Sequence, residues 1–168
     1  MATQNSDLVA NYEAVPQVAN DAQELEGKVR VAQGSVAVAS DGTGSGDIIM
    51  LAPIPSNAAI TSIKLAADDL DSNGSPALAW DVGVYTSGGT VKDVDAFATA
   101  ITLGQAATAF TEYAFEARNI NECGQKLWQD AADTSDPGGV YYVALTIQTA
   151  AATGAAGDLS FIIEYVVD

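Results

Sequence analysis

The sequence predicts a mainly β protein: an antiparallel β-sandwich or jelly-roll-like fold with one or two short helices and an extended N-terminal arm. About six to eight short segments alternate apolar and polar residues, which is typical of strands with one buried face. Turn signals rich in Gly, Asp, Asn and Pro separate them, and strands do not alternate with long helices. We assign the arm to residues 1–27 and the β-sandwich domain to residues 28–168.

The clearest strands are the two C-terminal segments VYYVALTIQT and DLSFIIEYVV, in which every second residue is apolar. The small-residue segment AAATGAAG joins them, so we expect a hairpin with a long flexible tip. The segments LAWDVGVY and TEYAFEA, and a strand over residues 58–66, also have one apolar side. The predicted interior residues are Trp80, Val82, Val84, Leu145, Ile147, Phe161 and Ile163.

The segment VRVAQGSVAVA changes its pattern part-way along. Val29 and Val31 share one parity, whereas Val36 and Val38 share the other. Because side chains alternate strictly across a strand, this change predicts a bulge or tight turn at residues 33–35.

Two segments predict short helices within the β domain. The segment DVDAFATAI would begin a helix at Asp93 or Asp95, which are good N-terminal capping residues. The segment NECGQKLWQDAAD would form the second helix, with Leu127 and Trp128 as its apolar anchors.

The arm differs in composition from the rest of the chain. It has no Lys or Arg, no sustained apolar period, and five carboxylates: Asp7, Glu13, Asp21, Glu24 and Glu26. Such a segment cannot offset its own ordering entropy, so it is either mobile or ordered against a partner. A frayed terminus stays open as the simpler interpretation, and a short helix over residues 21–26 would end at Gly27.

Charge excludes several classes of partner. The chain has 22 acidic and 6 basic residues, giving a net charge of −16, so its surface repels phosphate backbones and anionic lipid heads. The basic residues do not cluster: Lys28, Arg30, Lys64, Lys92, Arg118 and Lys126. We expect no nucleic-acid or membrane partner, and no signal peptide, because the N-terminus lacks a basic segment followed by an apolar run.

Several common catalytic and cofactor-binding motifs are missing, although carboxylate-only metal sites stay open. The chain has no His, which rules out Ser-His-Asp and Cys-His pairs and removes the commonest zinc ligand. Cys123 is the single cysteine and is interpreted as inert. The segment SDGTGSGD has no Lys and leads into a strand, unlike a phosphate-binding loop. The sequence therefore predicts neither an enzyme nor a cofactor.

One segment matches the opening of a calcium loop. Asp69, Asp71 and Asn73, followed by Gly74, reproduce the D-x-D-x-N-G pattern, in which alternate oxygens converge on the ion. However, Trp80 stands at the twelfth position, where the loop needs a bidentate Glu. Because Asp, Asn and Gly also form ordinary turns, we expect a turn without high-affinity metal.

Aromatic residues give a second, weaker candidate site. A sugar-stacking platform could use Trp80, Trp128, Tyr141 and Tyr142. Trp80 and Tyr141 lie on the apolar parity of their strands, which favours the core for both.

The order of several segments resembles a known group of proteins. These segments are VRVAQGSVAVAS, IKLAADDLDSNG with WDVGVY, KLWQDAADTSDPGGVYYVALTIQT and FIIEYVV. Over about residues 28–168 the chain resembles small structural proteins of tailed bacteriophages that decorate or cement the icosahedral capsid.

That resemblance implies a non-enzymatic virion protein on the outer capsid surface, without catalytic residues or cofactors. Its expected partners are the major capsid protein and copies of itself, in a homo-oligomer such as a trimer. The alternative function is a ligand- or glycan-binding β-sandwich module of a phage fibre or tail.

Overall fold

The computed structural model describes residues 5–20, residue 25 and residues 27–167. A helix, α1, precedes the strands, and a second, α2, lies between the sixth and seventh of them. The elements are α1 (Asp7–Glu13), β1 (Val29–Val38), β2 (Ile48–Pro55), β3 (Ala59–Ala67), β4 (Ala79–Tyr85), β5 (Val91–Ile101), β6 (Thr108–Glu112), a 3₁₀ turn (Ile120–Glu122), α2 (Leu127–Asp130), β7 (Val140–Thr149) and β8 (Gly157–Val166).

The eight strands form two four-stranded antiparallel sheets, in the orders β1-β8-β3-β6 and β2-β7-β4-β5. Among the described strands, only β4 and β5 are neighbours both in sequence and in a sheet, so every other connection between them passes from one sheet to the other. This arrangement is a jelly roll. The predicted fold class is therefore confirmed.

The apolar faces of the two sheets meet in one core. Alternation identified this core correctly, because all seven residues predicted to be interior are buried. The second predicted helix is also present, as α2, with Leu127 buried and Trp128 packed on the core. None of the helices in the described part of the chain is long and apolar enough to span a bilayer.

The predicted hairpin of the two C-terminal strands is wrong. β7 belongs to one sheet and β8 to the other, so the loop between them crosses the sandwich. Two strands that each have one buried apolar face can pair edge to edge or face each other across a core, and alternation does not distinguish these arrangements. The TEYAFEA strand also ends early, since β6 stops at Glu112.

The predicted bulge or turn at residues 33–35 is wrong as well. β1 pairs with β8 without interruption from Val29 to Val38. A Cβ at Gly34 would lie 3.1 Å from Cζ of Phe161, so the Phe161 ring occupies the inner face there. Val29 and Val31 point outward and are 59% and 53% exposed.

The predicted helix at Asp93 or Asp95 is a strand, β5. β4 pairs with it across several bulges, and these pairs override the local capping preference. The bulged backbone crosses closely over Gly83, where an added Cβ would lie 2.2 Å from the Asp93 carbonyl oxygen. The predicted helix over residues 21–26 falls largely outside the described residues, whereas α1 was not predicted.

Candidate functional site

Four connections meet at one end of the sandwich, which we call the Asp71 end: β1–β2, β3–β4, β5–β6 and β7–β8. Backbone hydrogen bonds join them, from Ala151 N to Thr43 O (3.1 Å), from Leu70 N to Gly104 O (2.8 Å) and from Ala155 N to Leu70 O (3.0 Å). The four loops therefore form one hydrogen-bonded layer rather than independent flexible tips.

The Asp71 carboxylate is the centre of that layer and is 1% exposed. Its Oδ2 accepts hydrogen bonds from the backbone N–H groups of Ala77 (2.7 Å), Leu78 (3.2 Å) and Ala152 (2.9 Å), and its Oδ1 from that of Thr153 (2.8 Å). Burial alone would raise the pKa of Asp71, but together these four donors lower it well below its ordinary range. Asp71 thus fastens the β3–β4 loop to the β7–β8 loop.

The other two residues of the calcium-like pattern make hydrogen bonds within the turn, and Asn73 also donates from Nδ2 to Thr153 Oγ1 at 3.0 Å. Oδ1 of Asp69 accepts from Asp71 N at 3.2 Å, and Oδ1 of Asn73 accepts from Ser75 N at 2.9 Å. Within the described residues, no group of three or more His, Cys, Asp or Glu is placed to hold a metal ion. The three residues lie close together, with Asp71 buried in backbone contacts and the other two exposed.

The opposite end of the sandwich contains a buried ion pair, and we call it the Arg118 end. Nη2 of Arg118 lies 3.0 Å from the Asp130 carboxylate, and the two side chains are 1% and 2% exposed. Arg118 also donates to the carbonyl oxygens of Ile60 (3.1 Å) and Gln125 (3.0 Å). This network ties the start of β3 to the long β6–β7 connection.

Two aromatic rings flank the Arg118 guanidinium. Its carbon atom Cζ lies 5.6 Å from the ring centre of Phe97 and 5.3 Å from that of Phe115, which is within cation–π range. Burial raises the pKa of Asp130 to about 7, although Arg118 opposes this shift. Nε of Arg118 is buried without a hydrogen-bond partner. Sequence reasoning did not identify this pair as a unit.

The four aromatic candidates do not form one exposed platform. Trp80 is fully buried and donates from Nε1 to Leu103 O at 2.7 Å, and Tyr141 is buried and donates to the Asp133 carboxylate. Burial, with Asp133 beside it, raises the pKa of Tyr141 to about 12. The prediction that Trp80 and Tyr141 are core residues is confirmed, while Trp128 and Tyr142 are half-buried.

The basic residues are distributed unevenly between paired and exposed positions. Lys64 pairs with Glu164, Lys92 with Asp133 and Arg118 with Asp130. Lys28 and Arg30 are exposed at the start of β1, and no carboxylate within residues 27–167 forms an ion pair with either. Cys123 is an exposed free thiol.

Comparison with known proteins gives matches at the level of structure only. No protein-family model and no curated protein sequence matches the chain. A chain of the cyanophage Pam1 capsid asymmetric unit is 23% identical, with 100% of both chains covered and a TM-score of 0.58. A chain of the Ralstonia phage GP4 capsid is 24% identical, with 84% of this chain and 86% of that chain covered and a TM-score of 0.65. These likenesses show that the three chains share a fold.

The described part of the arm forms a small unit with hydrogen bonds of its own. Val18 N donates to Asn11 O at 3.1 Å, and Nδ2 of Asn20 donates to Leu8 O at 3.0 Å. α1 has no buried residue. The large apolar side chains of this unit face solvent: Val9 (40% exposed), Tyr12 (68%), Val15 (98%) and Val18 (51%). A chain with this arm therefore presents unburied apolar surface beside the sandwich.

Proposed function

We propose that this chain is a non-enzymatic structural protein of a tailed-phage virion that binds the outer capsid surface and stabilises the shell. The observation that carries this proposal is the fold shared with a chain of the Pam1 capsid over the full length of both chains. Its partners are the major capsid protein and copies of itself, which assemble as a homo-oligomer.

The charge of the chain favours the outside of the shell. A net charge of −16 would be repelled by packaged DNA on the inner side. On the outer side the same charge keeps the protein soluble before attachment.

The buried polar groups support a structural role. Both carboxylate oxygens of Asp71 are engaged by backbone N–H groups, and Asp130 is engaged by Arg118 and Gln125. Each group joins separate loops of the β domain. Their chemistry is that of fold maintenance rather than turnover.

The arm supports a role in attachment. We assign residues 1–27 to an arm and residues 28–168 to the β domain. The exposed apolar side chains of the described arm, together with its carboxylates, would contact a neighbouring subunit or the capsid protein. Burial of this surface between chains would supply binding free energy that the isolated chain does not use.

The test uses capsid shells that lack a decoration protein. The full chain should co-sediment with the shells and saturate them, whereas a truncated chain starting at Gly27 should bind weakly and melt at nearly the same temperature as the full chain. Equal shell binding by both chains would contradict the role of the arm. A large drop in melting temperature would show that the arm belongs to the β domain.

The same assay separates the alternative function. A full chain that does not bind shells but is retained by a defined glycan would be a fibre or tail recognition module.

A Val91→Asp variant is the matched control for shell binding, because Val91 is 50% exposed on β5, outside the arm and both loop ends. It should bind shells as the unmodified chain does.

A further inference from the structure

The two sheets have four edge strands, and three of these are protected against pairing with another strand. β2 contains Pro53 and Pro55, and β6 has only five residues. β5 is bulged and carries charges from Lys92 to Asp95. Proline, bulges, charge and short length are the usual devices that block an edge.

β1 has none of these protections after its first residues. It is ten residues long, contains no proline, and pairs with β8 without a bulge. From Val31 to Val38 it carries no charge. Its free edge is therefore a template for one more strand.

A groove lies beside this free edge. It has a volume of about 360 Å³ and is lined by residues 36–39 on the β1 side, by residues 47–49 on the β2 side, and by Gly42. Val38 is buried in its wall, and Ile48 is 41% exposed at its rim. The volume lies within the range of about 300–1,000 Å³ that is usual for ligand pockets.

The arm has the matching chemistry. Val15 and Val18 are exposed aliphatic residues of the segment that follows α1, which bends at residues 14–16 and returns Val18 N to Asn11 O. No hydrogen bond joins the described arm to residues 27–167, so this segment could open and extend along another strand. The carboxylates Asp21, Glu24 and Glu26 follow them in the sequence. The exposed cations Lys28 and Arg30 stand at the start of β1.

One antiparallel register would bring the valines of the arm to the groove and its carboxylates to the exposed cations at the same time. An extended chain from residue 18 to residue 24 covers roughly 20 Å, at about 3.3 Å per residue. The distance along β1 from residue 36 to residue 30 is the same by that rise. An arm that lies antiparallel to β1 would therefore place its valines at the groove and its carboxylates at Lys28 and Arg30.

We infer that the free edge of β1 and the groove beside it bind the arm of a second copy of this chain. Within one chain the described arm leaves the groove open and its own valines exposed, so the occupant comes from a neighbour. This inference deepens the self-association part of the proposed function. Because its test contains no shells, the outcome is independent of capsid binding.

The test uses cross-linking between two differently marked chains, each with Cys123→Ser to remove the native thiol. One chain carries Val18→Cys and the other Ala37→Cys, so a disulfide between the two marked chains joins separate molecules. Ala37 is an exposed residue at the groove. The control partner carries Val91→Cys on β5, where Val91 is 50% exposed and does not line this groove.

The expected result is a yield of the Val18→Cys/Ala37→Cys product at least about tenfold above the control, which corresponds to about 1.4 kcal/mol. Equal yields from the two mixtures would overturn the inference. It would also be overturned if the disulfide formed only when both cysteines were on one chain, since the arm would then cover its own β1.

A second measurement uses chains that keep Cys123 and carry no added cysteine. Ile48→Asp places a charge at the groove rim, where the valines of the arm would lie, and should raise the dissociation constant for self-association in sedimentation by at least about tenfold. Val91→Asp should leave it unchanged. Self-association that withstands Ile48→Asp, in a variant that keeps its melting temperature, would contradict docking in the groove.

Discussion

The two ends of the sandwich each bury one aspartate, but they compensate its charge differently. At the Asp71 end, four backbone N–H groups from two loops surround the carboxylate, and the pKa of Asp71 falls. At the Arg118 end, one guanidinium faces Asp130, and burial raises the pKa of that carboxyl to about 7. The backbone donors thus outweigh the effect of burial on Asp71, whereas Arg118 and Gln125 do not outweigh it on Asp130.

The pKa of each carboxyl follows from its own surroundings. Burial raises the pKa of Asp130, Glu122 adds to this shift, and Arg118 with Gln125 opposes it only in part. Because the Arg118 charge is also removed from water on folding, the ion pair adds little net stability. The N–H groups of the two loops are present in any case and need an acceptor when buried. Asp71 therefore accepts from backbone donors that the fold cannot remove. The Arg118–Asp130 pair, by contrast, could be replaced by apolar side chains of similar volume.

Removal of one member of the ion pair should have the largest effect. Asp130→Ala leaves Arg118 buried without its counter-charge, so we expect the free energy of unfolding to fall by about 3–5 kcal/mol in urea denaturation. The double variant Arg118→Met with Asp130→Leu should recover most of this loss. A double variant less stable than Asp130→Ala would contradict the account of this end.

Removal of the Asp71 carboxylate should destabilise the fold slightly less than removal of the Asp130 carboxylate. Asp71→Ala leaves four backbone donors without their acceptor, although the loops can partly relax toward water, so we expect a loss of about 2–4 kcal/mol. Asp71→Asn should lose less, because its amide oxygen still accepts. If Asp71→Ala lost under about 0.5 kcal/mol, the anchoring role would be wrong.

The two carboxyls should also give opposite dependences of stability on pH. The lowered pKa of Asp71 stabilises the fold above the unfolded value near 4, and that contribution is lost as pH falls. The raised pKa of Asp130 means that the folded state binds more protons between pH about 4 and about 7, so stability falls as pH rises through that range.

Thermal melting from pH 3 to pH 8 checks both signs. Asp71→Asn should flatten the acid side of the profile, and Asp130→Asn should flatten the decline between pH about 4 and about 7. Profiles of both variants that run parallel to that of the unmodified chain would show that neither carboxyl controls the pH dependence.

The smallest effects should come from the exposed members of the calcium-like pattern. Asp69→Ala removes one hydrogen bond within the turn, and Asn73→Ala removes one within the turn and an exposed one to Thr153 Oγ1. Because these groups are exposed to water, each change should alter the free energy of unfolding by no more than about 0.5 kcal/mol. Calorimetry should detect no calcium binding at micromolar concentration. Tight binding that Asp71→Ala abolished would reverse our interpretation of this loop.

Alternation in the sequence predicted the buried faces of the strands but not their partners. Trp80, Leu145 and Phe161 could be assigned to the core because each lies on an apolar parity. The hairpin of β7 with β8 was predicted wrongly, because two strands that face each other across the core show the same alternation as two strands that pair edge to edge. The pattern of β1 led to a wrong prediction because Gly34 accommodates the ring of Phe161. A glycine has no side chain to show whether its position faces inward or outward.

The buried polar groups could not be predicted for a different reason. Asp71 is bound by backbone groups of Ala152 and Thr153, which any residue would offer and which lie 81 and 82 positions away. Arg118 is a single base in a segment that reads as a surface turn, and its partner Asp130 lies beyond the 3₁₀ turn. Only the folded loops bring these groups together.

The most direct test of the proposed function measures the heat resistance of capsid shells. Undecorated, DNA-filled shells are heated with and without saturating amounts of the full chain, and DNA release is followed with a DNA-binding dye. A protein that bridges subunits on the outer surface should raise the temperature of release, because it binds the intact shell and not the broken one. Saturable binding with an unchanged release temperature, or no binding to the shells, would contradict the account.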